Sequence, residues 1–275
     1  MQKKIAVIND LSGYGRCSLT VAIPVLSAMG HQCCPVPTAI LSNHTEFPVY
    51  FFDDYTEKMT AYTDKWKELG LSFDAVATGF LGSEAQIEIV MDMIRKLESE
   101  ETFVVVDPVM GDHGHAYETY TPEMCEQMKE LVCMADIVLP NVTECCILTD
   151  TPYKKENWTR RELLNMAMML RLMGAKSVVI TGVREGSYYT NVVLERGQME
   201  AKFIRTRSSG GERPGTGDVF SSVVAGALLN GKSLPEAVAQ AAGFVKECIK
   251  VSDEEQIPHA NGVCFEKILG KLIKK

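Results

Sequence analysis

Apolar positions along this chain fall into two kinds of run, and the two kinds alternate. Residues 5–8, 75–78, 103–107, 137–139 and 177–181 are short and almost continuously apolar, as in strands covered on both faces. Residues 32–38 read as another strand, in which Pro35 and Pro37 suit an edge or an irregular path. Between these lie stretches with helical spacing: 18–29, 54–69, 84–97, 122–134, 143–148 and 159–173. Gly30, Gly70 and Gly174 stand where helices would stop. The pattern then changes. Residues 187–194 and 199–205 read as an antiparallel pair joined through Gly197, followed by helices over 217–229, 234–250 and 265–272. The alternation predicts an α/β fold with a central, mostly parallel sheet and helices on both faces.

Ligands of such sheets bind beyond the carboxyl ends of the strands. Polar residues follow those ends repeatedly: Asn9-Asp10, Thr78-Gly79, Asp107, Asn141 and Thr181. Residues 39–52 lack helical period and end in aromatics, as a small flap over a site would. No repeat or linker-like tract interrupts the pattern, so one domain over 1–275 is expected.

The formal charge of -8 gives no nucleic-acid footprint. No run approaches the roughly 18 apolar residues of a membrane span. The nine cysteines form no Cys-x-x-Cys, which fits reduced thiols in a cytoplasmic protein better than zinc or a disulfide framework.

The segment Pro214-Gly215-Thr216-Gly217-Asp218, just before an apolar helical run, carries the most chemistry. Its glycines let the backbone approach a ligand. Amides opening the next helix favour an anion, so a phosphate would sit well there. An aspartate at the same place then suits a base that takes a proton from an attacking hydroxyl. Gly226-Ala-Leu-Leu-Asn-Gly231-Lys232-Ser233 matches the P-loop spelling, but it continues a helix, and Ser233 with Glu236 reads as a capping box. Gly13-Tyr-Gly15-Arg-Cys-Ser18 approaches a dinucleotide fingerprint without the acidic residue expected about twenty residues on; a dinucleotide-binding oxidoreductase is the rival from another class. Asp107-Pro108-Val109-Met110-Gly111-Asp112 keeps two carboxylates near one strand end, which suits Mg²⁺. Asn141 and Glu144 fit either a helix cap or the same metal edge. Ser42-Asn43-His44-Thr45 could read a small polar ring, and Phe80 could offer it a flat face.

Together these stretches resemble the ribokinase-like superfamily, and within it the pyridoxal/pyridoxamine kinase branch. The resemblance spans nearly the whole chain and implies a ribokinase-like fold. It implies that Asp218 deprotonates the 5′-hydroxymethyl group of a B6 vitamer, with Gly215, Thr216 and Gly217 as an anion hole. It implies metal anchors at Asp107 and Glu144, directly or through water. Asp112, Asn141, Thr181 and Tyr120 match nucleotide-binding positions; Ser12, His44, Thr45 and Phe80 match substrate-binding ones. ATP, Mg²⁺, room for a monovalent cation and a homodimer come with the resemblance. Hydroxymethylpyrimidine kinase is the near alternative, though it often carries cysteine where Asp218 stands. The first loop, Glu46 and Phe80 depart from the branch's commoner residues.

Overall fold

The computed structural model describes residues 2–97, 99 and 101–273. Its elements run β1 (Lys4–Tyr14), α1 (Ser18–Ala28), β2 (Gln32–Asn43), β3 (Phe52–Asp54), α2 (Thr56–Glu68), β4 (Ala75–Thr78), α3 (Glu84–Leu97) and β5 (Phe103–Val106). A hairpin of β6 (Gly111–Asp112) and β7 (His115–Ala116) follows, then α4 (Pro122–Cys133), β8 (Ile137–Val138), α5 (Val142–Leu148) and α6 (Arg160–Met173). The chain continues through β9 (Ser177–Glu185), β10 (Tyr188–Leu194), β11 (Lys202–Arg207), α7 (Thr216–Leu229) and α8 (Leu234–Glu254). Two 3₁₀ turns, His259–Asn261 and Glu266–Leu272, come last; the second replaces the α-helix expected over 265–272.

Nine strands form one sheet in the order β11-β10-β9-β8-β5-β4-β1-β2-β3. The run from β9 to β2 is parallel, and β3, β10 and β11 add antiparallel edges. Side chains of successive strand residues leave on opposite faces. Accordingly Ala6, Ile8, Val104, Val106, Val178 and Ile180 enter one core, while Ile5, Val7, Val105 and Val179 enter the other. This is why those segments are continuously apolar: each face must be covered, by α2–α6 on one side and by α1, α7 and α8 on the other. Each of these valines and isoleucines, fully buried, contributes about 1.5–3 kcal/mol.

Capping residues set several boundaries. Thr121 accepts the Met124 amide, with Pro122 opening α4; Thr159 and Glu162 form a capping box at α6. Ser233 and Glu236 do the same at α8, and Asn230 and Gly231 (φ 83°) end α7. The P-loop spelling is therefore a helix end followed by a helix start, with Gly226 buried inside α7 against Met29.

Two strands run further than their apolar cores suggest. Past a bulge between Asn9 and Leu11, β1 and β2 stay paired as far as Tyr14 and Asn43. The flap expected over 39–52 is thus not a free loop: its first residues continue β2, where 39–41 also pair with β3. Pro35 and Pro37 lie where β2 has no partner on its outer side, and there Tyr62 bonds the Pro35 carbonyl at 3.0 Å.

Candidate active site

The order of strands changes direction at β1, which has β2 on one side and β4 on the other. A crevice at such a switch point is the expected ligand site, and Asp218 lies in it, in the first turn of α7. Gly215, the N-cap, has φ 76°. A Cβ there would meet the Arg16 carbonyl oxygen at 1.8 Å, so no other residue fits. Nothing lies within 4 Å of a Cβ built on Gly217. Thr216 turns its hydroxyl to the Arg213 carbonyl at 2.9 Å, which leaves main-chain amides as the anion-facing groups.

Asp218 is half-buried. Its Oδ1 accepts from Asn9 Nδ2 at 3.2 Å. Burial raises its carboxyl to about 6; Asp10 adds to the rise, and the Ser18 amide and Asn9 side chain oppose it. Asp107 is held well above the usual carboxylate range by burial, then by the charges of Glu144 and Asp218. The Val109 amide and the Ser221 hydroxyl face Asp107 and pull the other way. Val109 has φ 42°, a strained conformation for a β-branched residue. Glu144 accepts the amides of Met110 at 3.0 Å and Asn141 at 2.8 Å, yet burial still lifts it to about 7.

Both readings of Asn141 and Glu144 meet here. They form a capping box at α5, and Glu144 nonetheless belongs to the acidic edge. The Asn141 amide group also donates to the Gly111 carbonyl at 2.8 Å, and Asn141 bridges Thr181 across the sheet end. Asp112 is exposed on the β6–β7 hairpin, a feature the sequence did not suggest. Among the described residues no Lys or Arg pairs with Asp107, Glu144 or Asp218. An acidic edge left without cations suits a divalent ion. No group of three or more His, Cys, Asp or Glu among the described residues is arranged to hold one directly. The donor set therefore fits an ion bound largely through waters and phosphate oxygens, as Mg²⁺ is.

The other expected residues are held as follows. Ser12 is fully buried and donates to Asp10 at 2.8 Å. Tyr120 is 7% exposed, its hydroxyl on the Pro108 carbonyl at 3.2 Å, where it braces the Asp107 turn. His44 is buried against Phe47, and its Nε2 bonds the Ala260 carbonyl at 2.7 Å. Ser42 and Asn43 close the flap turn on itself, through the Phe51 amide at 2.8 Å and the Val49 carbonyl at 2.9 Å. Thr45 is exposed at the flap tip. Phe80 is half-buried at the crevice, its amide on Asn9 Oδ1 at 2.8 Å. In the dinucleotide-like stretch 13–18, His44 would lie 2.4 Å from a Cβ on Gly15, and the Arg16 carbonyl lies against Gly215. A larger cleft of about 550 Å³, lined by Lys155, Trp158 and Arg184 among others, holds none of the converging acids.

The model of the phosphomethylpyrimidine kinase family matches residues 22–264. The chain belongs to this family. A Bacteroides thetaiotaomicron structure, named as a candidate phosphomethylpyrimidine kinase, is 40% identical with a TM-score of 0.96, covering 100% of this chain and 95% of that one. A second crystal form of that protein contains pyridoxal (TM-score 0.94, 40% identity, 99% and 96% covered). Pyridoxal kinase from Lactobacillus plantarum is 27% identical with a TM-score of 0.91, over 99% of this chain and 97% of that one. Pyridoxine kinase of Bacillus subtilis is 27% identical over 260 residues, 92% of this chain and 85% of its own length. Family and fold thus agree with the ribokinase-like resemblance read from the motifs. Asn9, whose side chain meets Asp218, was legible only as a polar residue after a strand.

Proposed function

We propose that this chain transfers a phosphoryl group from ATP to the 5′-hydroxymethyl group of a B6 vitamer, acting as one ribokinase-like domain. The observation that carries the reading is Asp218: a carboxylate raised to about 6, in a glycine turn whose amides open onto the same crevice. A group of that acidity is ionised at neutral pH and can take the alcohol's proton. The amides of residues 215–217 receive the transferred phosphoryl group. Asp112, Asn141 and Thr181, which gather at neighbouring strand ends, are assigned to the nucleotide side. Phe80 and Thr45 are assigned to the vitamin ring. Ser12, His44 and Tyr120 brace these groups through the bonds described above.

Pyridoxal in the Bacteroides relative and the names of the other two relatives support this acceptor. Mg²⁺ belongs to the reading, with Asp107 and Glu144 holding its waters; when bound it neutralises phosphate charge. A monovalent cation and a homodimer come from the resemblance alone, and cytoplasmic residence from the cysteine pattern. The test is ATP consumption with pyridoxal, pyridoxamine, pyridoxine and hydroxymethylpyrimidine, with and without EDTA. Turnover with a B6 vitamer that EDTA abolishes and Mg²⁺ restores is expected. The second reading is a hydroxymethylpyrimidine kinase, favoured by the family whose model matches; turnover with that substrate alone would select it.

A further inference from the structure

We propose that Asn9 and Ser18 are positioning residues that clamp the Asp218 carboxylate in one orientation; this rests on Asp218 being the base. The Asn9 side chain has no freedom. Its Oδ1 accepts two amides, from Asp10 at 3.0 Å and Phe80 at 2.8 Å. An oxygen so engaged leaves the NH₂ group as the part that faces Asp218 Oδ1, 3.2 Å away. The residue that follows β4 is cut to fit, since a Cβ on Gly79 would come within 2.3 Å of Asn9 Nδ2. β1 and β4 therefore meet at a place shaped for this amide.

Ser18 supplies the second donor. It opens α1 with φ 52°, a left-handed conformation costly for any residue but glycine. In that conformation its main-chain amide faces the Asp218 carboxylate and favours its charged form. Its hydroxyl meanwhile donates to Asp10 Oδ1 at 2.5 Å, and Ser12 donates to the other oxygen of Asp10 at 2.8 Å. Asp10 is buried and holds Ser18 in a shape it would otherwise leave. The base thus stands on α7, but a strand end and a helix start some 200 residues earlier in the chain fix its direction. A carboxylate free to turn would accept the alcohol's proton from only part of its orientations.

Steady-state rates of B6-vitamer phosphorylation test the clamp. Asn9→Ala is expected to lower kcat about tenfold, in line with loss of a hydrogen bond to a charged group, with KM for ATP changed by less than about twofold. In an Asp218→Asn background the same change should cost nothing further, because its effect runs through that carboxylate. Ser18→Ala and Ser18→Gly both lose the hydroxyl, but only glycine holds φ 52° without strain, so the glycine variant should be roughly fivefold faster. If Asn9→Ala is insoluble, Asn9→Ser, too short to reach Asp218, replaces it with the same expectation. The clamp is overturned if Asn9→Ala keeps kcat, if its cost persists undiminished in the Asp218→Asn background, or if the two Ser18 variants are equally fast. Asp218→Asn alone separates the two failures. A dead Asp218→Asn beside a normal Asn9→Ala removes the clamp only, whereas an active Asp218→Asn removes the base assignment and the clamp with it.

Discussion

His44 Nε2 lies 2.7 Å from the carbonyl oxygen of Ala260. Nδ1 accepts the Glu46 amide at 3.4 Å, which leaves Nε2 to face Ala260. The bond ties the flap to the segment beside the catalytic turn. A flap that excludes water protects ATP from wasteful hydrolysis. His44→Ala is expected to raise ATP hydrolysis without acceptor and to raise the acceptor's KM roughly fivefold, by loss of one hydrogen bond. An unchanged leak rate in a phosphate-release assay would show that the flap closes without this tie.

Asp218→Asn removes the base while keeping nearly the same shape. Turnover should fall by about 10²–10⁴-fold, and nucleotide affinity by calorimetry should stay near that of the parent. Normal turnover in the purified variant would exclude Asp218 from the chemistry.

The pH profile follows from the same group. Asp218 must be ionised to accept a proton, and burial raises it to about 6. Activity should therefore rise with pH through about 6 and be lost below it. A rate that stays flat down to pH 5 would contradict a base of this acidity.

Stability runs the opposite way. Asp107, Glu144 and Asp218 all have raised folded-state values, Glu144 near 7 and Asp218 near 6. Between about pH 4 and 7 the folded protein then binds more protons than the unfolded chain, so stability without ligands should fall as pH rises through that window. Asp107→Asn relieves the repulsion. It is expected to stabilise the ligand-free protein at pH 7.5 by about 1–3 kcal/mol, read as a higher Tm, while impairing Mg²⁺-dependent activity. A lower Tm for the variant would mean that the acidic edge is not a source of strain.

The layers of this fold can be read from the chain because each apolar strand residue answers to one of two cores. Val104, Val105 and Val106 need no knowledge of partners to be called a covered strand. The ends of β1 and β2 are different. Beyond Asn9 the apolar run of β1 breaks, and only cross-strand pairing makes Leu11 to Tyr14 a strand. Gly215 and Asp218 were legible because a turn and a helix start are local events. The placements of His44 and Tyr120 were not, since the ring and the hydroxyl follow acceptors set by the tertiary fold, Ala260 and Pro108. Asn9 is the extreme case, its partner lying on the far side of the sequence.

Residues 257–261 hold three distant parts of the site, and they do so with peptide oxygens. Ile257 receives Arg213 from the catalytic turn, Ala260 receives His44 from the flap, and Asn261 receives Arg16 from the first loop. Apart from His259, whose ring bonds the Glu212 carbonyl at 2.8 Å, alanine scanning across this stretch should be nearly silent, because truncating a side chain leaves every one of those oxygens in place. Deleting a single residue should cripple turnover, because the information stored there is a path through space and not a spelling.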